Sequence, residues 1–379
     1  MSKRFDFEVL ARDGASRCAR MTTAHGVVET PVFQPVATYG AVRGVGPTDL
    51  SELGAQIILA NTYHLHERPG EAVVARAGGL HGFTGWHGPW LTDSGGFQVT
   101  SLADRVKVDE AGLTFASPLD GRQRQLTPER AVEIQQALGA DIAMALDECH
   151  PPGRGKGRNP DGDLRVAAAM ERTLRWAERC RKHHSHPDQA LFGIVQGGDV
   201  PALRRCSARA TAGIGFDGYA HGGLGLGEDP RRRDDLLSLT HEELPVDRPR
   251  YLMGLGRPED LLLAIERGID LFDCVIPTRH ARHGVLFTSA GQLSLKNARF
   301  RDDDAPADEA CDCSTCARHS RAYLHHLFRV NEQLGARLAS MHNLRFYLRL
   351  MQRARKAIAA GRLTALRQEV VDLADERIR

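Results

Sequence analysis

Helical periodicity closed by a glycine and followed by a short apolar run recurs along most of this chain. Residues 47–53 carry a helical pattern, Gly54 follows, and Gln56-Ile-Ile-Leu-Ala-Asn61 is an apolar strand. Helix 128–138 leads through Gly139 to a strand over 141–147, and an amphipathic helix over 163–184 precedes strand 191–196. Helix 201–212, Gly213 and Gly215 lead to a strand ending at His221-Gly-Gly. Helix 231–243 precedes Tyr251-Leu-Met253, and helix 258–267 leads through Gly268 to Leu271-Phe-Asp-Cys-Val-Ile-Pro-Thr-Arg279. Glycine suits the residue after a helix because a positive φ costs it little. Strands alternating with helices indicate parallel βαβ units, and seven or eight of them in about 250 residues predict a (β/α)8 TIM barrel. No GxGxxG follows a first strand, so a dinucleotide site has no support. Residues 27–42 read as a β-hairpin ahead of the repeat. The alternation ends after Ile276. The chain then divides into a barrel over 1–279, a small inserted subdomain over 280–345 and closing helices over 346–379.

The last of these strands places Asp273 in an apolar run that stops at a proline and a basic turn. An acid buried there must be hydrogen-bonded or put to use. Asp93, in a Thr-Asp-Ser-Gly-Gly turn, together with Asp147, Gln196, Gly222, Gly223 and Met253, lies at other strand ends. In a closed barrel these ends converge on one mouth, where active sites are built. Each has a structural explanation alone, such as an N-cap for Asp93. Together they suit a planar, amide-rich ligand such as a nucleobase, held by Asp147 and Gln196 between Phe97 and Met253. Two carboxylates in one mouth, Asp93 and Asp273, permit double displacement at an anomeric carbon.

Composition adds three things. The net charge of +2 is uneven: between Arg279 and Arg301 there are five basic residues and no acidic one, which suits a polyanionic partner if it is more than a solvated face. The glycine-rich stretch from Pro151 to Asp163 is a candidate lid or RNA-facing loop, or ordinary surface. Of eight cysteines, Cys311, Cys313 and Cys316 have metal spacing. A histidine would complete a closed, structural Zn2+ shell, and spacing alone leaves His319, His325, His326 and His342 open. No apolar run approaches a membrane span and no signal-peptide core is evident, so a cytoplasmic location is expected.

TDSGGFQ (92–98), GIVQGG (193–198), HGGLGLGE (221–228), YLMGLGRPED (251–260), FDCVIPTR (272–279) and CDCSTC (311–316) with His342 together resemble the tRNA-guanine transglycosylases. The resemblance runs from Thr30 to His342. It implies a barrel with one structural zinc, held by Cys311, Cys313, Cys316 and His342. It also implies exchange of the wobble guanine in GUN-anticodon tRNAs (Asp, Asn, His, Tyr) for 7-aminomethyl-7-deazaguanine (preQ1) through a covalent enzyme–RNA intermediate. By that resemblance Asp273 is the nucleophile and Asp93 the acid/base. Asp93, Ser94, Gly95, Gly96, Phe97, Asp147, Gln196, Gly222, Gly223, Leu224 and Met253 match base-binding positions. Gly254, Leu255, Gly256, Arg257, Pro258, Glu259 and Asp260 match one RNA-contacting stretch, and Thr278, Arg279, His280, Ala281 and Arg282 match another. Members form homodimers. One departure is Gly225-Leu226, where bacterial relatives more often have Ala and Val, and it bears on base choice, as does Cys149. The competing reading is a non-catalytic tRNA-binding subunit, which would be expected to lose Asp93 or Asp273; this chain keeps both.

Overall fold

Eight parallel strands close into a barrel in the computed structural model, which describes residues 5–102, 106–149 and 160–375. The strands are 32–37, Ile58–Ala60, Trp90–Thr92, Ile142–Met144, Ala190–Val195, Gly218–His221, Arg250–Leu252 and Leu271–Asp273. Pro35 splits the first into two hydrogen-bonded pieces. Val32–Gln34 pairs with Leu271–Asp273, Val36–Ala37 pairs with Ile58–Ala60, and so one strand bridges both sides of the seam.

Side chains alternate across this sheet, as the two-residue period of a strand requires. Leu59, Leu91, Ile142, Met144, Phe192, Ile194, Ala220, Tyr251 and Leu271 form one cluster inside the barrel. Their neighbours Ile58, Trp90, Ala143, Leu191 and Tyr219 pack outward against helices. The floor is plugged by a three-stranded antiparallel sheet (Asp6–Asp13, Ser16–Thr23, Gly26–Thr30), whose Phe7, Ala19, Met21 and Val28 join the interior cluster. A buried Arg17–Asp270 pair, 2.6 Å between Nη2 and Oδ2, ties that sheet to the last barrel strand.

The predicted helices over 47–53 and 128–138 are Pro47–Leu53 and Pro128–Leu138, closed by Gly54 and Gly139 at φ of 84° and 71°. Two expectations are corrected. Residues 27–42 are not a hairpin: Gly26–Thr30 pairs antiparallel with Ser16–Thr23, but the residues from Val32 onward are parallel barrel strand. The basic turn after Asp273 is a helix, Ile276–Arg282, with Pro277 in its first turn, where a missing N–H costs nothing. Of the candidate loop at Pro151–Asp163, residues up to 159 lie outside the described residues, and Pro160–His183 is helix. A second antiparallel sheet, Lys107–Val108, Leu113–Ala116 and Gln123–Leu126, follows the third barrel strand. Beyond the barrel come a hairpin (Val285–Thr288, Gly291–Ser294) and helices Ser314–Arg318, Arg321–Arg329, Gln333–Ala359 and Leu363–Asp375. The helix Gln333–Ala359 runs without a break through residue 345. Among the described residues no helix is long and apolar enough to cross a membrane.

Candidate active site and metal centre

Continuing the strand alternation past each strand end turns Asp93, Gln196 and Asp273 toward the barrel axis, because Leu91, Ile194 and Leu271 point inward. The C-terminal ends enclose a cavity of about 310 Å3. Asp93, Ser94, Phe97, Asp147, Gly222, Gly223, Leu224, Met253, Gly254 and Asp273 line it. Gly95, Gly96 and Gln196 lie behind this lining.

Asp93 is held entirely by donors. Thr62 N–H reaches Oδ1 at 2.9 Å and Gly95 N–H at 3.1 Å, and Asn61 Nδ2 donates to Oδ2. The Asn61 amide has no freedom to flip, because its own oxygen caps the next helix at His64 N–H, 3.0 Å away. Burial nevertheless lifts the Asp93 carboxyl to about 7, and the facing charge of Asp273 adds to the shift. At neutral pH this group can both give and take a proton.

Asp273 differs. Tyr251 Oη–H (2.5 Å) and Gly254 N–H (2.9 Å) both donate to its Oδ1. No donor from another residue reaches Oδ2 among the described residues. Burial raises this carboxyl as well, while Tyr251, Gly254 and its own backbone N–H pull it back. The result is a fixed carboxylate with one oxygen uncommitted.

Asp147 accepts from Gln196 Nε2 at 2.6 Å and Ser94 Oγ at 3.3 Å, and burial pushes it up to about 6. Gly222 must lack a side chain, since a Cβ there would meet Gln196 Nε2 at 2.4 Å. Arg204 fixes this corner from behind: fully buried and in no ion pair among the described residues, it donates to the carbonyls of Gly198, Val195 and Gly222 at 2.7, 2.9 and 2.7 Å. Leu226 and Cys149 both reach the cavity. Leu226 sits on a turn clasped by Glu228, which accepts from Gly225 N–H (2.6 Å) and Leu226 N–H (3.0 Å) and is itself paired with Arg233.

Sequence reasoning missed Asn61, Thr62, Tyr251 and Arg204. Asn61 carried a signal, an N-cap residue directly after an apolar strand. Tyr251 and Arg204 carried none, since each reads as part of a strand or helix.

The two stretches matched to RNA contacts are unevenly exposed. Gly254, Arg257 and Arg279 face solvent, Glu259, Asp260, His280 and Arg282 are half-buried, and Leu255, Gly256, Pro258, Thr278 and Ala281 are buried. Asp260 is committed to Arg233 at 2.5 Å. By contrast Arg257, Arg279, Arg282, Lys296 and Arg299 form no ion pair among the described residues, whereas nearby Arg267 is paired with Asp234.

Cys311, Cys313, Cys316 and His342 come together with all donor atoms within 4.8 Å of one another, a cluster that can hold a metal ion. His342 Nδ1 lies 3.2 Å from Cys316 Sγ and 3.8 Å from Cys313 Sγ. Its Nε2 faces the Phe287 carbonyl at 2.8 Å. That carbonyl requires the proton on Nε2, which leaves the Nδ1 lone pair for an ion. Three thiols and one such nitrogen fit a tetrahedral zinc shell. His319, His325 and His326 are not in the cluster, and His325 is turned to the Leu295 carbonyl instead.

Comparison with known proteins agrees with this architecture. The family model described as queuine tRNA-ribosyltransferase matches residues 13–375. The queuine tRNA-ribosyltransferase of Thioalkalivibrio sulfidiphilus is 52% identical over 359 residues, 95% of each chain. That of Thermus thermophilus is 53% identical over 358 residues, 94% of this chain and 91% of the relative. That of Marinobacter nauticus is 50% identical over 372 residues, 98% of each. With this match across nearly its whole length, the chain belongs to the queuine tRNA-ribosyltransferase family of tRNA-guanine transglycosylases.

Proposed function

We propose that the protein exchanges the wobble guanine of GUN-anticodon tRNAs for preQ1 by double displacement, with Asp273 as nucleophile and Asp93 as acid/base. The observation that carries this is the unlike pair of acids in one mouth. Asp273 has an uncommitted Oδ2, and Asp93 has a carboxyl lifted to about 7. Asp273 Oδ2 attacks C1′ of the target nucleotide, the C1′–N9 bond breaks, and Asp93 gives its proton to the departing guanine. The incoming base then loses its N9 proton to Asp93 as N9 attacks C1′ and Asp273 leaves. Asp147 accepts from the N–H edge of the base with Gln196 and Ser94 holding it in place, and Phe97 and Met253 cover the ring faces.

The unpaired cations Arg257, Arg279, Arg282, Lys296 and Arg299 suit the phosphates of the tRNA. Zinc in the Cys311–Cys313–Cys316–His342 cluster would be structural, since four protein ligands leave no position for substrate. The homodimer rests on the resemblance, and a cytoplasmic location suits an enzyme that acts on tRNA. Incubation with tRNA and labelled guanine tests the reading: label enters the RNA, whereas a non-catalytic tRNA-binding subunit would bind tRNA and incorporate nothing.

Base choice follows from the rim. Queuine carries a cyclopentenediol on the arm where preQ1 has only an amine; Leu226 and Cys149 line the cavity, and by the family resemblance they match the positions that this arm meets. A clash of one branched side chain costs roughly 1–3 kcal/mol. PreQ1 is therefore expected to exceed queuine in kcat/KM by about tenfold or more, and Leu226→Gly to narrow the gap by improving queuine. Equal kcat/KM for both bases in the unaltered protein would remove the size argument.

Proton handling predicts a pH signature. The folded Asp93 carboxyl lies above its unfolded value of 3.8, so the native state binds the extra proton between those values. Its contribution to stability is therefore greatest below about pH 4. It falls by up to about 1.4 kcal/mol per pH unit as the pH rises toward 7, and is flat above that. Denaturant titrations of wild type and Asp93→Asn should diverge with this slope, the variant gaining relative to wild type as pH rises. A pH-independent difference would refute the raised carboxyl.

A further inference from the structure

The barrel floor holds a second cluster of ligating side chains that the base-exchange mechanism does not use. His25 lies in the turn between Ser16–Thr23 and Gly26–Thr30, His81 on the helix Gly79–Thr84, and Asp141 just before the fourth barrel strand. His25 Nδ1 is 2.9 Å from Asp141 Oδ1, and His81 Nε2 is 3.4 Å from Asp141 Oδ2. The two rings stack with centroids 3.5 Å apart and a 22° tilt, both turned to the same carboxylate. All three donor atoms lie within 4.8 Å of one another.

Hydrogen bonding accounts for only part of this arrangement. Asp141 Oδ1 takes the His25 backbone N–H and ring, and Oδ2 takes Trp90 N–H at 2.9 Å. His81 Nε2, on a residue only 8% exposed, faces Asp141 Oδ2 at 3.4 Å but is poorly aligned for a hydrogen bond. A buried nitrogen so weakly partnered is costly, and an ion would satisfy it better. Bonds of about 2.0–2.1 Å in a tetrahedral shell put neighbouring donors roughly 3.3 Å apart, and each imidazole lies near that distance from one oxygen of the carboxylate, 2.9 Å from Oδ1 for His25 and 3.4 Å from Oδ2 for His81.

We propose that His25, His81 and Asp141 form a second metal site, which takes a transition-metal dication of the zinc class and staples the N-terminal sheet to the barrel floor. Two imidazoles and one carboxylate favour zinc, cobalt, nickel or copper over magnesium or calcium, which prefer all-oxygen shells. Three protein ligands leave a position for water on the open side. There the His25 side chain is 43% exposed and has room to swing its ring plane onto the ion. The ion would join three segments far apart in sequence. Asp141, which already holds Trp90 N–H, would be the hub.

The test counts metal in the intact protein after equilibration with Zn2+ and gel filtration. Wild type is expected to retain one more ion per chain than His25→Ala, whose altered residue is exposed and outside the catalytic mouth. Cobalt-loaded wild type should show visible bands that His25→Ala lacks, while the thiolate-to-cobalt charge-transfer band of the cysteine cluster is the same in both. Excess Zn2+ should raise the Tm of wild type by a few degrees and leave His25→Ala unmoved. Equal metal counts and equal Zn2+ shifts in wild type, His25→Ala and His81→Gln would overturn the proposal. That result would leave the reading of the cysteine cluster and of the active site untouched.

Discussion

Replacing Asp273 by Asn is expected to lower the rate of base exchange by about 10^4-fold or more and to remove the covalent protein–RNA band from denaturing gels. An amide oxygen at the Oδ1 position can still accept from Tyr251 Oη–H and Gly254 N–H, so the strand end keeps its shape. What changes is the second oxygen, the uncommitted one, which becomes an amide nitrogen with no pair to offer C1′. Stability should be equal to wild type or higher above neutral pH, because burial disfavours the charged Asp273 carboxylate in the fold. Tight tRNA binding with no band would separate lost chemistry from lost structure. A band that persists in the variant would move the nucleophile elsewhere, with Asp93 the next candidate.

Metal removal should produce the largest effect on stability. Cys316→Ala, or exhaustive chelation, is expected to cost several kcal/mol and lower Tm by about 10 °C or more. The cost spreads because His342 sits on the long helix Gln333–Ala359 beside Asn343. The Asn343 side chain accepts from Phe287 N–H at 3.0 Å and donates to the carbonyls of Pro277 and Val285, each at 2.9 Å. His342 and Asn343 thus connect the cysteine cluster, the hairpin and the helix that carries Arg279 and Arg282. Loss of the ion should therefore raise KM for tRNA more than KM for the free base. A metal-free protein with the Tm and activity of the holoprotein would contradict a structural role for the ion.

Much of the barrel was legible because its helices end in glycines and its strands are apolar on both faces, as buried parallel strands must be. The misread places share a cause: one signal served two structures. Alternation over 27–37 reads the same for a hairpin strand as for a barrel strand, and only the partner decides. Pro277 reads as a stop after a strand, yet the same residue type opens a helix. At the site, Asp93, Asp147, Gln196 and Asp273 stood out because polar side chains at apolar strand ends are conspicuous. Tyr251 did not, since its role depends on the neighbouring strand placing Asp273 beside it. The His25–His81–Asp141 cluster was equally silent, being assembled from three segments with no spacing motif.

The split strand at 32–37 has a consequence for synthesis. It borders Leu271–Asp273 on one side and Ile58–Ala60 on the other, so the cylinder closes only between segments some 240 residues apart. Such a closure comes late, after the intervening units have shortened the gap. Asp273, the proposed nucleophile, lies on the closing strand itself. A nascent chain still on the ribosome, surrounded by tRNA, therefore has no assembled mouth until residue 273 has emerged and docked.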